Sequence, residues 1–304
     1  MLGRLKRAGL IINPFASAVT EERLTSVERE LRSHVELTVA QTVRPQHATE
    51  LARALGDVDA IFVFGGDGLL NEVLNGIGPE PAVGVLPGGG KNVAARALGV
   101  PLDPLEAARS LPGAPKRRIS LGRANGRRFA FAAGIGFDAE LVRRVDARGR
   151  RSDGRRPGDL AFTWEAAKLL AQRRGRYEPA LEIVGLGRAA FALVANAHPY
   201  SYAGNRALRV APDARFELGL DVVAPRRLAP QGIPRFVAYA FRGGSEQAND
   251  VLYAHDLDRI QIRCDRPLPL QVDGEDLGDV ETVIFEAERD AVSMLAPGAG
   301  TLTA

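Results

Sequence analysis

The sequence predicts two structural classes in one chain, a parallel α/β domain followed by an antiparallel β-sandwich domain. In the first third of the 304 residues, short apolar runs alternate with helical patterns, as in a parallel sheet covered on both faces. A stretch rich in Pro and Gly follows at residues 99–118. Beyond it stands Asn125-Gly126, the strongest short-range signal for a β-hairpin, and more strand-like runs succeed it. The change of pattern separates an α/β class from an all-β class.

The elements of the first domain follow from local patterns. Thr20 is a suitable N-cap, and the acidic Glu21 and Glu22 lie in the first turn of the helix that it opens. A second helix at residues 46–55 is stopped by Gly56. Two further helices are predicted after residue 68 and at about residues 92–98, and the strands cover residues 9–13, 35–42, 60–64 and 82–86. This alternation predicts a Rossmann-like architecture for residues 1–118.

Strand-like runs dominate the second domain, residues 119–290. They cover residues 119–123, 129–133, 181–184, 190–195, 218–223, 259–263, 268–272 and 281–286. Helices are predicted at about residues 138–145, 160–173 and 233–242. In the second of these, Leu160, Trp164, Ala167 and Ala171 share one face, which predicts a core contact. A tail at residues 291–304 is expected to pack back on the first domain.

Composition excludes several classes of protein. Hydrophobic residues make up 45% and charged residues 25%, which excludes a disordered or fibrous chain. No apolar run approaches the roughly 20 residues that cross a bilayer. A single cysteine, Cys264, excludes an internal disulfide and favours a reducing compartment. We therefore expect a soluble cytoplasmic protein with no transmembrane segment.

The charge balance argues against a nucleic-acid partner. Lys and Arg number 40 against 37 Asp and Glu, so the net charge of +3 is small for this length. One arginine cluster stands out, interrupted by Gly and Pro, and a solvated loop is the simplest interpretation of it. Contact with anionic lipid headgroups is the alternative. The cluster comprises Arg143, Arg144, Arg148, Arg150, Arg151, Arg155 and Arg156.

The segment Gly65-Gly66-Asp67-Gly68 lies between a predicted strand and a predicted helix. A glycine-rich turn there lets backbone N–H groups approach phosphate oxygens, and the helix N-terminus adds a positive dipole end. Asp67 is suited to hold Mg²⁺ or to orient a phosphate through water. The alternative is a tight strand-to-helix turn in which Asp67 acts as a cap.

A second glycine loop, Pro87-Gly88-Gly89-Gly90-Lys91-Asn92, occupies the same position one unit later. Two such loops at the carboxyl ends of parallel strands face the same crevice, and Lys91 offers a point charge for a phosphate. A Walker A motif is excluded because Val85 replaces its first glycine and Asn92 its Ser or Thr. The dinucleotide-binding fingerprint is excluded because Asn71 stands where its third glycine should be. The loop pair therefore predicts a phosphate site of another kind.

These two loops resemble the diacylglycerol kinase catalytic family, which includes bacterial diacylglycerol and related lipid kinases, sphingosine kinases and ceramide kinase. The matching segments are Phe64 to Val73 and Leu86 to Pro101. Similar landmarks follow one another along most of the chain. They are Ile12-Asn13-Pro14, Thr42 to Ala48, Gly134 to Ala139, Asn196, Tyr202-Ala203-Gly204, Ala211 to Ala214, Leu220-Asp221-Val222 and Val272-Asp273-Gly274-Glu275.

The resemblance implies ATP-dependent phosphorylation of a lipid hydroxyl, with Mg²⁺ neutralising the phosphates. It implies that residues 1–118 bind the nucleotide and that residues 119–290 bind the lipid substrate. The implied nucleotide-binding residues are Asn13, Thr42, Gly65, Gly66, Asp67, Gly68, Leu69, Asn71, Glu72, Gly88, Gly89, Gly90, Lys91 and Asn92.

The resemblance also implies which carboxylates act. The turn at Asp273-Gly274-Glu275 supplies the base for the lipid hydroxyl, so Asp273 and Glu275 join Asp67 as candidate catalytic residues. Asp-Gly between two strands is equally an ordinary hairpin turn. The candidate metal ligands are Asp67 and Asp138, together with Asp213, Glu217 and Asp221 in a segment that binds a structural Mg²⁺ in some bacterial members.

The sequence departs from the family pattern in both glycine loops and near Asp221. Leu69 stands where a threonine is usual, Gly90 where Ser or Thr is common, and Val93 where the bacterial pattern has an aspartate. Near Asp221 the expected Asp-Gly pair reads Glu217-Leu218 with one residue fewer. These changes point to a variant nucleotide site, a different substrate or weak activity.

Two other functions stay open beside a lipid kinase. Soluble-substrate kinases related to NAD kinase or phosphofructokinase also use Gly-Gly-Asp-Gly loops, although the second loop argues against them. A weakly active homologue that binds nucleotide or lipid is the other alternative. A lipid kinase would meet its substrate at the membrane surface, by peripheral attachment at the inner face. A homodimer also stays open.

Overall fold

The computed structural model describes residues 5–149, 157–243 and 250–297, which form two compact units. Unit 1 comprises the chain up to Ile119 together with the segment from Asp290, and unit 2 runs from Ser120 to Arg289. Residues 150–156 and 298–304, which include part of the arginine cluster and of the tail, lie outside the described residues. Each unit is considered by itself below.

Unit 1 alternates strands and helices along the chain, as the sequence predicts. Its strands are β1 (Arg7–Ile12), β2 (Glu36–Gln41), β3 (Ala60–Gly65) and β4 (Ala82–Pro87). Its helices are α1 (Glu21–Arg32), α2 (His47–Ala54), α3 (Asp67–Leu74), α4 (Val93–Ala97) and α5 (Pro104–Ser110), the last followed by a 3₁₀ turn at Leu111–Gly113. The four strands are parallel in the order β4-β3-β1-β2.

The strand order creates a topological switch point in unit 1. The chain moves from β1 outward to β2, then returns across β1 to β3 and β4, while α1 packs with α5 and α2 packs with α3. Every residue of β3 and β4 is buried, which explains their unbroken apolar runs. The carboxyl ends of β1 and β3 therefore open a crevice, the usual place for a ligand in an open α/β sheet.

Local sequence explains where the helices begin. Thr20 caps α1 because its Oγ1 accepts a hydrogen bond from the Arg23 N–H at 3.3 Å, as the sequence predicts. Asp103 caps α5 by accepting from the N–H groups of Leu105 and Glu106 at 2.9 and 3.0 Å. Both caps satisfy N–H groups that a helix leaves without an internal partner.

Unit 2 is mostly antiparallel. The strand β5 (Lys116–Ala124) leads into it, and β16 (Glu275–Leu295) leads out of it. The other strands are β6 (Arg127–Phe129), β7 (Ala132–Ile135), β8 (Leu181–Ile183), β9 (Gly187–Ala189), β10 (Ala192–Ala195), β11 (Ser201–Ala203), β12 (Arg206–Leu208), β13 (Leu220–Pro225), β14 (Val251–Leu257) and β15 (Arg259–Val272). The helices are α6 (Phe137–Ala147), α7 (Asp159–Gln172) and α8 (Ile233–Arg242), with a 3₁₀ turn at Pro230–Gly232.

One long strand, β15, joins two layers of unit 2. Its second half pairs with β7 in the order β14-β13-β10-β7-β15, its first half pairs with β8, and β16 pairs with both halves. Apolar side chains from both layers, such as Val194, Val222, Ile262 and Phe285, are buried in one core. These features and the solved structures compared below confirm the predicted fold class, a parallel α/β domain followed by an antiparallel β-sandwich.

The predicted strands of unit 2 are mostly right in place but wrong in length, and β9, β11, β12 and β14 were not predicted. Two predicted runs, residues 259–263 and 268–272, form the single strand β15, whose pairing with β16 shifts register between them. One predicted run, residues 129–133, is instead divided between β6 and β7. The predicted hairpin at Asn125-Gly126 is confirmed, and both residues have positive φ, as a two-residue turn of this type requires.

The prediction that Trp164 lies in the core is wrong. Leu160 is 88% exposed and Trp164 is 57% exposed, and Ala167 and Ala171 on the same face of α7 also face solvent. The helix instead buries Glu165 and Leu169 on its other face. Periodicity identifies an apolar stripe, but it does not say whether the chain covers that stripe.

The arginine cluster is partly helical rather than a loop. Arg143 lies on α6 and pairs with Asp276 and Asp279 at 2.8 and 2.7 Å. Arg144 pairs with Glu140 at 2.7 Å, and Arg148 pairs with the buried Glu165. These three charges are therefore engaged within unit 2. Arg150, Arg151, Arg155 and Arg156 lie outside the described residues, so the lipid-headgroup alternative stays a prediction for them.

Candidate functional site

The two glycine loops of unit 1 touch each other through their backbones. The Gly88 N–H donates to the Gly65 carbonyl at 2.8 Å. A Cβ added at Gly88 would lie 2.9 Å from the Gly65 Cα, and one added at Gly89 would lie 2.7 Å from the Gly66 Cα. Real Cβ contacts are not that short, so only glycine fits at these two positions. The structure thus brings the loops after β3 and β4 together, as predicted.

The glycines at the rims of the two loops have open space beside them. No atom lies within 4 Å of a Cβ built at Gly68 or at Gly90, and both residues are exposed. The loops therefore combine a tight backbone contact on one side with accessible backbone on the other. Exposed backbone in a loop that leads into a helix is the feature that phosphate sites use.

Asp67 joins the first loop to the helix after the second. Its carboxylate accepts hydrogen bonds from the N–H groups of Val93 and Ala94 at 3.1 and 3.2 Å, the first two residues of α4. Burial raises the pKa of the Asp67 carboxyl, and the two N–H donors and the nearby charge of Lys91 offset this only in part. Asp67 therefore acts as a cap, but of α4 and not of the turn that it opens, since α3 has no side-chain cap.

Asn92 and Glu72 also have structural roles near these loops. The Asn92 side chain bonds both backbone groups of Gly89, accepting at 3.0 Å and donating at 2.8 Å, which fixes the second loop. The Glu72 carboxylate accepts from the Ala48 N–H at 3.1 Å and so caps α2. The Glu72 carboxylate therefore serves as a helix cap on the side where α2 and α3 pack.

Leu69 and Asn71 are both buried at the start of α3. A Cβ added at Gly65 would lie 2.7 Å from the Leu69 Cδ2, so the leucine packs directly against the first loop. Asn71 accepts a hydrogen bond from the Asn75 side chain at 3.2 Å. The position where the family usually has a threonine therefore contributes packing in this chain.

Asn13 and Thr42 lie at the ends of neighbouring strands. The Asn13 N–H donates to the Phe64 carbonyl at 3.1 Å, and the Thr42 N–H donates to the Ile12 carbonyl at 2.8 Å. Asn13 therefore borders the switch point between β1 and β3, and Thr42 lies on the β2 side of β1, at the same edge of the sheet as the glycine loops. The structure brings these candidates together within unit 1.

Two exposed apolar side chains at this edge were not among the sequence-based candidates. Phe15 is 67% exposed and follows Asn13, whose Oδ1 accepts the Phe15 N–H at 3.0 Å. Val43 is 73% exposed and follows Thr42. Each of them could have been identified in the sequence as an apolar residue shortly after a strand-end motif. An apolar side chain gains nothing from exposure in a solvated loop, so its presence there indicates another role.

In unit 2, Asp273 forms the tip of the hairpin between β15 and β16. Asp273 and Gly274 have φ values of +47° and +80°, and Val272 pairs with Glu275 across them, which confirms the two-residue turn. The buried Asp273 carboxylate accepts hydrogen bonds from three consecutive N–H groups. The donors are Ala130, Phe131 and Ala132, at 2.7, 3.0 and 3.1 Å. The turn is thereby fixed to the connection between β6 and β7.

A buried polar network supports the other side of this turn. The Gln271 side chain accepts from the Gly274 N–H at 2.8 Å and donates to the Asp138 carboxylate at 2.6 Å. The Tyr200 hydroxyl donates to the same Asp138 oxygen at 2.8 Å, and burial raises the pKa of Tyr200 well above its usual value. Asp138, a candidate metal ligand from the sequence, is thus a partner of Tyr200 and Gln271. Glu275 pairs with Arg127 at 2.6 Å.

The three carboxylates assigned to a structural Mg²⁺ do not form a metal site. The Tyr253 hydroxyl lies 3.0 Å from Asp213 and 2.8 Å from Asp221. The other Asp221 oxygen contacts His255 at 2.8 Å and the Asp256 N–H at 3.1 Å, while Glu217 is exposed. Within the described ranges, no group of three or more His, Cys, Asp or Glu residues could hold a metal ion. The oxygens of Asp213 and Asp221 contact Tyr253, His255 and the Asp256 N–H, and the described residues add no third carboxylate to them, so this donor set does not fit Mg²⁺.

Comparison with known proteins identifies the family. The model of the diacylglycerol kinase catalytic domain matches residues 7–124. The diacylglycerol kinase of Bacillus subtilis (strain 168) is 30% identical over 281 residues, which cover 89% of this chain and 90% of that protein. The chain belongs to the diacylglycerol kinase family. This membership confirms the predicted class of enzyme, a kinase that transfers phosphate to an alcohol.

Other members of the diacylglycerol kinase family match over similar lengths. The Staphylococcus carnosus (strain TM300) diacylglycerol kinase is 29% identical over 282 residues, covering 89% of each chain. A solved diacylglycerol kinase structure from Bacillus anthracis str. Sterne has a TM-score of 0.73 at 22% identity and covers 98% of this chain and 99% of that one. A further structure from that organism has a TM-score of 0.79 at 24% identity, covering 98% of both chains. These structures show the fold.

Diacylglycerol, which appears in the names of these relatives, is a membrane lipid. Whether the chain has a helix that could span a membrane is therefore of interest. Each helix in the described part of the chain is too short or too polar to serve as a membrane span.

Proposed function

We propose that this chain transfers the γ-phosphate of ATP to the hydroxyl group of diacylglycerol or a related lipid alcohol. The observation that carries the proposal is the backbone contact between the two glycine loops at the carboxyl ends of β3 and β4. The proposal is also supported by the similarity of this chain to diacylglycerol kinases along most of its length. Such a substrate would bring the protein to the inner face of the membrane.

In this proposal the nucleotide binds unit 1. Exposed backbone at the rims of the two loops, at Gly68 and Gly90, contacts the phosphates, and Lys91 adds a positive charge. Phe15 and Val43 offer the base an exposed apolar surface beside Asn13 and Thr42. The remaining proposed contacts, Leu69, Asn71, Glu72 and Asn92, act by holding these loops and helices in place.

Mg²⁺ enters with ATP as part of the substrate complex and neutralises phosphate charge. Asp67 fits a contact with a water of that complex, because carboxylate oxygens accept more than one hydrogen bond each. The two N–H donors from α4 hold the carboxylate in one orientation. Asp67 therefore combines a structural bond with a proposed role in binding the substrate complex.

The acceptor hydroxyl needs a group that takes its proton as the oxygen attacks the γ-phosphate. We assign this role to Asp273, whose carboxylate is held by three N–H donors and whose turn is fixed through Gln271. Glu275, two residues on, shapes the same turn through Arg127. Orientation is the property that such a base requires first.

The test is transfer of labelled γ-phosphate to a panel of lipid alcohols, with NAD as a soluble acceptor. We expect label in the lipid extract, lost on chelation of Mg²⁺, and a decrease of at least about 100-fold in Asp273→Asn. Circular dichroism checks that this variant folds. Normal ATP binding with no labelled lipid across the panel would refute the lipid assignment, and labelled NAD would favour a soluble-substrate kinase.

A weakly active homologue is the second candidate, because Leu69 and Val93 replace polar residues of the family pattern. In this chain Leu69 packs against Gly65, and Val93 donates its N–H to Asp67. Both replacements therefore fit the site structurally. Turnover within roughly 1–100 per second would exclude this candidate.

A further inference from the structure

The segment 130–132 connects β6 to β7 and is buried, and its first two residues lie between the two strands. Buried backbone N–H and C=O groups need hydrogen-bond partners, and residues between strands do not obtain all of them from a sheet. In this segment all six such groups bond to one of two residues, Asp273 or Asn196. The segment therefore links Asn196 to the proposed base.

The two residues divide the six groups between them. The Asp273 carboxylate accepts from the three N–H groups of the segment, and the Asp273 N–H donates to the Ala132 carbonyl at 2.7 Å. Asn196 bonds the two remaining carbonyls. Its backbone N–H donates to the Phe131 carbonyl at 2.9 Å, and its side-chain Nδ2 donates to the Ala130 carbonyl at 2.8 Å. Asp273 thus takes the N–H groups of the segment, and Asn196 takes two of its carbonyls.

Each of the two Asn196 bonds fixes one peptide unit. The Ala130 carbonyl and the Phe131 N–H belong to the same planar, trans unit, so they point in opposite directions. Asn196 Nδ2 holds that carbonyl, while the N–H of the same unit donates to Asp273 Oδ1 at 3.0 Å. The next unit repeats the arrangement, because the Asn196 N–H holds its carbonyl and its N–H, that of Ala132, donates to Asp273 Oδ1 at 3.1 Å. Asn196 therefore orients two of the donors to Asp273.

The Asn196 side chain is fully buried directly after β10. Its Nδ2 uses both hydrogens, since it also donates to the Ser120 carbonyl of β5 at 2.8 Å. Its Oδ1 has no hydrogen-bond partner among the described residues. A buried amide oxygen without a partner is unfavourable, so burial alone gives asparagine no advantage at this position. The two hydrogens on Nδ2 are therefore the feature that this position uses.

We propose that Asn196 is a positioning residue for Asp273, because it holds the peptide units whose N–H groups orient the carboxylate of the base. Asn196 does not contact the substrate and adds no step to the transfer. The inference rests on the proposed function in one respect, the assignment of Asp273 as the base for the lipid hydroxyl. A misoriented base takes the proton less effectively, so loss of the Asn196 side chain should lower kcat. Nucleotide binding belongs to unit 1 and should be unaffected.

Hydrogen exchange tests whether Asn196 holds the segment. In Asn196→Ala the peptide unit between Ala130 and Phe131 loses its side-chain partner, so the amides of residues 130–132 should exchange at least about tenfold faster than in the wild type. Ser120→Ala is the matched control and should exchange as the wild type does, because the buried Ser120 hydroxyl has no partner among the described residues. Mass spectrometry of peptides that span the segment measures the rates. Unchanged exchange in Asn196→Ala would overturn the proposal.

A double-mutant cycle tests whether Asn196 acts through Asp273. Asn196→Ala should lower kcat for the lipid by about 100-fold, with unchanged affinity for ATP. In the Asp273→Asn background, where the carboxylate base is already lost, the same substitution should change kcat by less than about threefold. Val194→Ala, at a buried apolar residue of β10, is the control for lost stability and should lower the Tm but not kcat. Losses that multiply in the double variant would overturn positioning through Asp273.

The positioning proposal and the proposed function fail in different ways. If Asn196→Ala does not fold, Asn196→Asp serves in the same measurements, because it has a similar volume and at most one hydrogen to donate. A wild-type protein that phosphorylates no lipid would refute the lipid kinase, and hydrogen exchange in the segment would still decide whether Asn196 holds it. Phosphorylation of lipid by the wild type together with losses that multiply in the cycle would refute positioning and leave the kinase supported.

Discussion

Asp67 and Val93 are 26 residues apart in the chain, and the Asp67 carboxylate accepts the Val93 N–H at 3.1 Å. The bond connects the first glycine loop to the helix that follows the second. Displacement of one loop relative to the other therefore strains this bond. The relative position of the two loops thus depends on a side chain for which the sequence motif predicts either phosphate chemistry or a local cap.

Substitution of Asp67 should separate its two roles. Asp67→Ala removes the cap and should cost about 0.5–2 kcal/mol of stability, with activity lost. Asp67→Asn keeps one acceptor oxygen, so its stability should stay within about 1 kcal/mol of the wild type while activity falls at least about 100-fold. Urea denaturation and labelled phosphate transfer measure these effects. Wild-type activity in Asp67→Asn would show that the residue is only a cap.

The pH dependence of the free energy of unfolding should include a contribution from Asp67. Burial raises its pKa in the folded protein above the ordinary 3.8, so the folded state binds this proton more tightly than the unfolded chain does. The ionised carboxylate therefore costs stability at neutral pH, and the cost disappears as pH falls through the raised pKa. Relative to Asp67→Asn, the wild type should gain free energy of unfolding from pH 7 toward pH 4. If the difference in free energy of unfolding between wild type and Asp67→Asn were the same at every pH, this prediction would be contradicted.

Two glycines of the second loop should respond differently to the same substitution. Gly89→Ala places a Cβ 2.7 Å from the Gly66 Cα, and we expect a loss of about 1–3 kcal/mol in stability together with weaker ATP binding. Gly90→Ala meets no atom within 4 Å and should stay within about 0.5 kcal/mol. Thermal denaturation and calorimetric ATP titration make the comparison. Equal losses at both positions would argue against a close contact between the loops.

Phe15 should contribute to binding of the nucleotide base. Stacking of a base on an aromatic ring is worth ~1–3 kcal/mol, so Phe15→Ala should raise the KM for ATP by roughly 5- to 150-fold. Its affinity for inorganic triphosphate, which has no base, should be unchanged. Because Phe15 is largely exposed, its removal should leave the fold intact. An equal loss for ATP and triphosphate would place the effect in the phosphate loops.

Chelation should not alter the stability of unit 2. Asp221 is fully buried, and its oxygens already contact Tyr253, His255 and the Asp256 N–H. We therefore expect the same Tm with and without EDTA. Tyr253→Phe should instead lower stability by about 1–3 kcal/mol, because a buried carboxylate loses a donor. A lower Tm in EDTA would indicate a structural cation in this protein.

The fold was largely predictable because its signals are local. Alternating apolar runs located the strands of unit 1, and Thr20 and Asn125-Gly126 marked a helix start and a hairpin. The length of β15 was not predictable, because Pro267 and Pro269 interrupt its pattern and only pairing with β7, β8 and β16 shows that it is continuous. The side of α7 that faces solvent was not predictable either, since the ion pair of Glu165 with Arg148 decides it.

The candidate site was predictable as a set of loops, not as a set of contacts. The glycine motifs indicated where backbone N–H groups gather. They did not indicate that Asp67 reaches α4, that Glu72 caps α2, or that Asp273 binds three N–H groups at residues 130–132. Each of those bonds joins residues far apart in the chain, and only the packed sheets bring them together.

The C-terminal part of β16 belongs to unit 1 and is synthesised long after the rest of that unit. Met294 pairs with Val83 at the edge of β4, and the Ala296 N–H donates to the Pro115 carbonyl at 3.2 Å. A ribosome makes these residues only after all of unit 2 has been synthesised. The unit that is translated first is consequently completed last, and until then the nascent polypeptide carries a bare sheet edge open to chaperones or to neighbouring chains.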